Sequence, residues 1–330
     1  MRRIGVMTSG GDAPGMNAAV RAVVRRALAA GVEVFGIRHG FLGLLRQEFT
    51  PLAMQSVHDI IHRGGTVLLT ARCEEFLTPA GQARAVENIS AAGIEGLVCI
   101  GGDGSLRGCV ALERLGVPTT GVPGTIDNDL GGTDATIGFD TAVNTAVEAV
   151  DRVRDTAAAH ERTFVVEVMG RSSGFIALHV GLACGADAIL IPEVPWAAED
   201  LCRRLRADAQ NGWRHNVIVV AEGAGHGFEL GQRIEQGTGL ETRVTVLGHV
   251  QRGGSPTAVD RNLASRLGAG AVDFLLEGCH GVMAGVQGSS VAPVPLRLVT
   301  STRRAIDPSL YELAAVLSSW RGGSGSVVDR

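Results

Sequence analysis

The stretch from Leu97 to Gly131, LVCIGGDGSLRGCVALERLGVPTTGVPGTIDNDLG, constrains the fold of this chain more than any other. It holds two apolar runs, and each ends in a loop rich in glycine and aspartate. The pattern predicts a short buried strand over Leu97 to Ile100, followed at once by Gly101-Gly102-Asp103-Gly104-Ser105. Leu106 to Leu115 has helical periodicity, with Gly116 as its stop signal. Pro118 to Val122 reads as a second strand, ending in Pro123-Gly124-Thr125-Ile126-Asp127-Asn128-Asp129. A strand–helix–strand unit of this kind places Asp103, Asp127 and Asp129 on one edge of a parallel sheet. In open α/β sheets that carboxyl edge is where ligands bind.

The residue types at these strand ends point to phosphate chemistry. Gly101, Gly102 and Gly104 carry no side chains, so phosphate oxygens can approach backbone N–H groups near a helix start. Asp103 offers the hard oxygen that Mg²⁺ prefers, with waters and phosphates completing the shell. Asp127 or Asp129 can take the proton of an attacking hydroxyl. A phosphate cradle, a metal carboxylate and a nearby base together serve phosphoryl transfer. Glycine and aspartate also make ordinary turns, and GGDGS alone does not separate the two readings. PGTIDND, one helix away, favours the phosphate site.

Composition removes whole classes of mechanism. All 30 basic residues are arginine, and the chain has no lysine. That excludes a Walker-A lysine, the strand lysine of protein kinases and Schiff-base chemistry. Anions must be held by arginine forks, loop amides, histidine or metal, and arginine meets phosphate with two donors at once. A net charge of −4 and an aromatic content of 4% argue against nucleic acid and against an anionic membrane as partners. No apolar run is long enough to span a bilayer. Met1-Arg2-Arg3 is followed by no signal-peptide apolar region before Ser9-Gly10-Gly11. The cysteines Cys73, Cys99, Cys109, Cys184, Cys202 and Cys279 form no CxxC pair. Reduced, mostly buried thiols in a cytoplasmic protein are the expectation.

The same alternation runs along the rest of the chain. Arg3 to Thr8 is a strand leading into Ser9-Gly10-Gly11-Asp12-Ala13-Pro14-Gly15 and a helix over Met16 to Ala30, a second phosphate-cradle candidate. Glu33 to Arg38 is a strand, Gly40 to Gly43 a loop, and Ser56 to Arg63 a short helix on which His58 and His62 would share a face. A strand over Val67 to Thr70 would bring Arg72 to a strand end. Thr78 reads as the N-cap of a helix through Ala92. A long helix is expected over Ile137 to Ala159 and another over Glu199 to Asn211. Strands are expected at Thr163 to Val168, Ala188 to Ile191, Asn216 to Ala221 and Arg243 to Leu247. This predicts an α/β fold with two doubly wound, mainly parallel sheets and a break near residues 135–140. Arg171, Glu222, His249 and Arg252 follow apolar runs, whereas Arg162 and Arg243 begin strands and belong to the opposite sheet edge. One subunit would find it hard to gather both sets, a hint that a neighbouring chain completes the site.

Taken in order, SGGDAPGMNA, GGDGS, PGTIDND, EVMGRSSG and LGHVQRGGSP make the chain resemble the bacterial ATP-dependent 6-phosphofructokinases up to about Gly285. GGDG alone is shared with NAD kinases and lipid kinases. The resemblance implies two Rossmann-like three-layer α/β/α domains with the active site in the cleft between them, assembled as a homotetramer. Residues 1–138 with about 252–305 would form a larger ATP-binding domain. Residues 139–251 with about 306–320 would form a smaller fructose-6-phosphate domain, leaving 321–330 as a disordered tail.

Site roles follow from the same likeness. Gly11, Arg72, Cys73, Gly102, Asp103, Gly104 and Ser105 would hold ATP, with Asp103 on Mg²⁺. Thr125 and Asp127 would face the sugar, and Asp127 would take the proton of its 1-hydroxyl. Asp129 would support metal and base through water, and Arg171 would stabilise charge on the transferring phosphoryl group. Met169, Gly170 and Glu222 would contact the sugar. His249 and Arg252 would bind its 6-phosphate, joined by Arg162 and Arg243 of the adjacent subunit, in agreement with the strand-edge argument. Of the family's effector residues, Arg21, Arg25, Arg154, Asp187 and His215 match. Met54, Asn211 and Trp213 stand where related enzymes carry basic side chains, which weakens a site for ADP or phosphoenolpyruvate. Pyrophosphate-dependent members carry Asp at 104 and Lys at 124; both are glycine here, so ATP is the expected donor and fructose 6-phosphate the expected acceptor. The residues leave open another sugar phosphate. A non-catalytic sugar-phosphate sensor would have no need of Asp103, Asp127 and Arg171 together.

Overall fold

The computed structural model describes residues 1–213 and 215–318, so the tail expected at 321–330 lies outside the described residues. The elements in the first part of the chain are β1 (Arg3–Ser9), α1 (Met16–Ala29), β2 (Glu33–Ile37), α2 (Phe41–Arg46), β3 (Phe49–Leu52), α3 (Pro79–Ala91), β4 (Gly96–Gly101), α4 (Asp103–Arg114) and β5 (Thr119–Pro123). Then come α5 (Phe139–His160), β6 (Thr163–Val168), α6 (Phe175–Cys184), β7 (Ala188–Leu190), α7 (Ala198–Gln210), β8 (Asn216–Ala221), α8 (Gly227–Thr238) and β9 (Thr242–Val246). The chain continues through α9 (Ala258–Leu276), β10 (Val282–Gln287), β11 (Ser290–Pro295), α10 (Leu296–Val299) and α11 (Pro308–Leu317).

The chain divides into two compact α/β units. The first comprises Met1–Thr141 and Arg252–Arg304, and the second the described residues of Ala142–Gln251 together with Ala305–Ser318. The first unit carries a sheet in the order β11-β10-β5-β4-β1-β2-β3. Its five central strands are parallel, and β3 and β11 close the two edges antiparallel. Pro51 in β3 and Pro293 and Pro295 in β11 suit edge positions, where a missing N–H costs no ladder bond. The second unit carries β7-β8-β6-β9, all parallel.

Burial explains the sequence patterns. Central strands β4 and β8 are buried on both faces, which is why they read as unbroken apolar runs. Thr78 accepts the Gly81 N–H at 3.1 Å with Pro79 opening α3, as its sequence position predicts. In the first unit Asp260, wholly buried on α9, accepts from Gly138 N and Thr141 N at 2.8 Å each and from Thr141 Oγ1 at 2.5 Å. Burial pushes its carboxyl above the ordinary range, and these hydrogen bonds oppose the shift.

Three local expectations are corrected. Gly40 to Gly43 is not a loop, because Phe41, Leu44 and Leu45 bury one face of α2 at helical spacing. Ser56 to Arg63 is not a helix: a single 3₁₀ turn, Met54–Val57, ends before Asp59, whose φ of 59° breaks it. His58 and His62 therefore share no helix face, and His62 faces Asp59 at 3.7 Å. Val67 to Thr70 is not a strand, since β3 already occupies that edge of the sheet. The segment is an irregular loop, tied down where Thr8 Oγ1 donates to Leu69 O at 2.9 Å and Val67 N donates to Asn17 Oδ1 at 2.7 Å.

Candidate active site

In the first unit the ends of three parallel strands lie in register. Ser9 pairs with Gly101, Gly101 pairs with Pro123, and Gly124 N donates to Gly101 O at 3.0 Å. The strand order turns between β1 and β4, so the loops after β1, β4 and β5 leave the sheet side by side at a topological switch point. Helix α4 begins at Asp103, with Gly102 as an N-cap that contributes no side chain. Ser105 N donates to Gly102 O at 3.0 Å, so an anion at this helix start would be met by the N–H groups before it.

The loop after β5 is knitted from within. Thr136 Oγ1 donates to Thr125 O at 2.6 Å, Thr136 N donates to Asn128 Oδ1 at 3.0 Å, and Asp127 N donates to Thr125 Oγ1 at 3.2 Å. Asn128 has φ 53°, a left-handed conformation that asparagine tolerates better than most residues. Asp127 and Asn128 are buried and Asp129 half-buried. Arg304 N donates to Asp129 O at 3.0 Å, pinning the end of the loop. A cavity of about 290 Å³ is lined by Asp103, Arg107, Asp129, Leu130 and the segment Thr300–Arg303.

That cavity fits Mg²⁺. Two carboxylates face one polar space, and among the described residues no cluster of three or more His, Cys, Asp or Glu forms a closed cage. Mg²⁺ is held in this way, by one or two carboxylates with water and phosphate completing the octahedron. Arg107 and Thr300–Arg303 are lining residues that the sequence reading did not single out. Arg107 was within reach of it, four residues after Asp103 on a helix; the second segment carries no local signal.

The other residues expected to hold the nucleotide, Gly11, Arg72 and Cys73, lie in the same unit. Thr70 Oγ1 donates to Gly10 O at 2.6 Å, bringing the loop that carries Arg72 and Cys73 against the loop after β1. Arg72 is exposed, and Cys73 packs against the core that holds Phe41 and Phe76, whose rings stack 4.2 Å apart. Arg252, expected on the sugar phosphate, donates from Nη1 to Asp12 O at 3.2 Å; a Cβ on Gly11 would lie 2.6 Å from that nitrogen. The two glycines of the donor argument are unequal. Space around Gly104 is open, whereas a Cβ on Gly124 would meet Ile100 and Met16 at 3.1 Å. The Ile100 and Met16 side chains would have to give by a few tenths of an ångström to admit a Cβ at 124, whereas nothing crowds position 104.

In the second unit, Glu222 at the end of β8 organises the loop after β6. Its Oε1 accepts from Arg171 N at 2.7 Å and Gly170 N at 3.2 Å. Arg171 is exposed with φ 54°, and Met169 N donates to the buried Gln251 Oε1 at 3.4 Å. His249 is exposed on the 3₁₀ turn Gly248–Arg252. Arg162 and Arg243 sit at the amino edge of the same sheet, both on Glu241, with Arg162 Nε 2.9 Å from its Oε1. The hydrogen bond from Arg162 is the main reason that the Glu241 carboxyl lies below its ordinary range. The length of a strand, roughly 15–20 Å, separates these arginines from Arg171 and Glu222.

The expected effector residues are divided between the two units. Arg154 Nη2 donates to Cys184 O at 2.6 Å and Gly185 O at 3.0 Å. Asp187 accepts Val217 N at 2.7 Å; burial raises its carboxyl, while Arg154 and His215 act in the other direction. On α1, burial and then Arg25 lower the Arg21 guanidinium. Met54, Asn211 and Trp213 are exposed.

Glycine loops and carboxylates at the carboxyl edge of a doubly wound sheet define a phosphate-handling α/β protein. The chain belongs to the phosphofructokinase family, whose profile matches residues 3–275. It is 56% identical to the ATP-dependent 6-phosphofructokinase of Bacillus pumilus and 55% identical to that of Bacillus subtilis, in each case over 96% of this chain and all of the relative. Among solved structures it is similar to the T-state phosphofructokinase of Pichia pastoris, with a TM-score of 0.86 and 36% identity. That match covers 96% of this chain and 36% of the larger yeast chain. The pyrophosphate-dependent phosphofructokinase of Marinobacter aquaeolei shares the fold, with a TM-score of 0.83 at 24% identity over 94% of this chain and 86% of that one.

Proposed function

We propose that the chain transfers the terminal phosphoryl group of ATP to the 1-hydroxyl of fructose 6-phosphate, giving fructose 1,6-bisphosphate and ADP. The observation that carries this reading is the register of β1, β4 and β5, which delivers backbone amides, Asp103, Asp127 and Asp129 to one sheet edge. Gly11, Arg72, Cys73 and Gly102–Ser105 hold the nucleotide. Asp103, supported by Asp129, holds Mg²⁺, which when bound neutralises charge on the phosphate oxygens. Asp127 takes the proton of the attacking hydroxyl, and Thr125 orients that hydroxyl beside it. Arg171 stabilises the charge that builds on the transferring group, an interaction stronger in the transition state than before it. Met169, Gly170 and Glu222 bind the sugar, and His249 and Arg252 its 6-phosphate. The reaction belongs in the cytoplasm, where both substrates are found.

Arg162 and Arg243 complete the 6-phosphate site of a neighbouring subunit in a homotetramer. Their place at the amino edge, a strand away from Arg171, supports this. Asp127→Asn chains are expected to lose roughly 10²–10⁴ in kcat. Co-assembled with Arg243→Ser chains they should regain part of the parent activity, because sites that join the intact Asp127 of one chain to the intact Arg243 of its neighbour are restored while the reciprocal sites lack both groups. Hybrids no more active than their parents would refute the shared site.

The reaction itself is tested by following bisphosphate formation from fructose 6-phosphate and Mg²⁺ with ATP or pyrophosphate in parallel. Turnover with ATP alone is expected. Turnover with pyrophosphate alone would overturn the inference from Gly104, and silence with both would overturn the assignment of the acceptor.

A further inference from the structure

We propose that Arg107 is a displaceable counter-ion for Asp103, occupying the metal carboxylate until a divalent cation takes its place. The proposal rests on the reading of Asp103 as a metal ligand and concerns a residue outside the set assigned above. Arg107 Nε lies 3.1 Å from Asp103 Oδ1 and 3.0 Å from Oδ2, so one guanidinium covers both oxygens that a cation would need. Both side chains line the cavity shared with Asp129, and both are substantially exposed, at 60% and 41%.

The position is informative because the helix terminus does not require it. Asp103 sits in the first turn of α4, where the macrodipole already favours a carboxylate. An arginine one turn later gains nothing from that dipole, and an exposed pair four residues apart adds little to stability. What the pair does change is competition for Asp103. A divalent ion entering the cavity must displace the guanidinium and then tolerate a positive charge one helical turn away, and both effects weaken metal binding. Once displaced, the guanidinium remains on the rim of the cavity, beside the loop assigned to the phosphates.

The test is Mn²⁺ binding to the nucleotide-free protein, with free Mn²⁺ read by electron paramagnetic resonance. Arg107→Gln should bind Mn²⁺ roughly threefold to tenfold more tightly than the parent. Arg107→Lys, which keeps the charge, should return to near the parent value, an outcome that a merely structural role would not produce. Asp103→Asn separates the two readings. If it weakens Mn²⁺ binding while Arg107→Gln leaves it unchanged, Arg107 does not compete and the proposal falls. If Asp103→Asn binds Mn²⁺ like the parent, Asp103 is not the ligand, and both readings fall together.

Discussion

In each unit a loop that follows a parallel strand and carries expected site residues holds a non-glycine residue in the left-handed region: Asn128 in the loop after β5 and Arg171 in the loop after β6. Asn128 is buried, and its own Oδ1 accepts from Thr136 N, so the side chain that tolerates the conformation also secures it. Arg171 is exposed, and its backbone is held from outside by the Glu222 carboxylate. A left-handed arginine costs on the order of 1–2 kcal/mol relative to its preferred conformation. The difference shows two ways of presenting a functional loop. In the first unit the loop is braced largely by its own side chains; in the second the Glu222 carboxylate, just past β8, holds the backbone at 170 and 171.

The comparison can be broken most sharply at Glu222. Removing its carboxylate by Glu222→Ala should free the Gly170–Arg171 loop and lower kcat/KM by roughly 10- to 100-fold. Glu222→Gln, which keeps an acceptor at Oε1, should lose only a few-fold, and equal losses in steady-state kinetics would show that the charge matters more than the loop.

At the first loop the expected damage is to stability. Asn128→Ala removes an acceptor and puts a Cβ-bearing residue without local hydrogen bonding at positive φ, for a loss of about 2–3 kcal/mol in urea unfolding. Asn128→Gly retains the backbone freedom and should lose less. If the two variants are equally stable, the conformation is not what Asn128 supplies.

The smallest effect concerns Asp260, whose buried carboxyl lies above its ordinary range. The folded chain therefore holds this proton more tightly than the unfolded chain. The resulting stabilisation is complete below the unfolded value of about 4 and fades as pH rises through the folded value. Any stability advantage of the parent over Asp260→Asn should therefore shrink as pH rises from about 4 through the raised folded value. Urea midpoints at several pH values would measure this, and an advantage that grows with pH would contradict it.

Much of this molecule is legible residue by residue. Unbroken apolar runs announced the buried parallel strands, and glycine–aspartate clusters marked where those strands end. Thr78 and Pro79 marked the start of α3. These signals are local because an unbroken apolar run and a capping residue are read from consecutive positions, even though the burial itself comes from elements packed on both sheet faces. The three misses have different causes: α2 buries Phe41 against Phe76, from a later segment, and β3 takes the sheet edge that Val67–Thr70 would need, whereas at Ser56–Arg63 the left-handed Asp59 breaks the turn locally. The sequence by itself determined the α/β class, the absence of lysine chemistry and the residues fit for phosphate transfer. Only the tertiary structure decided that Arg252 lies over Gly11, that Glu222 holds Arg171, and that Thr300–Arg303 closes the cavity beside Asp129. Those pairings join residues 51 to more than 200 positions apart, a separation at which no local periodicity or spacing carries information.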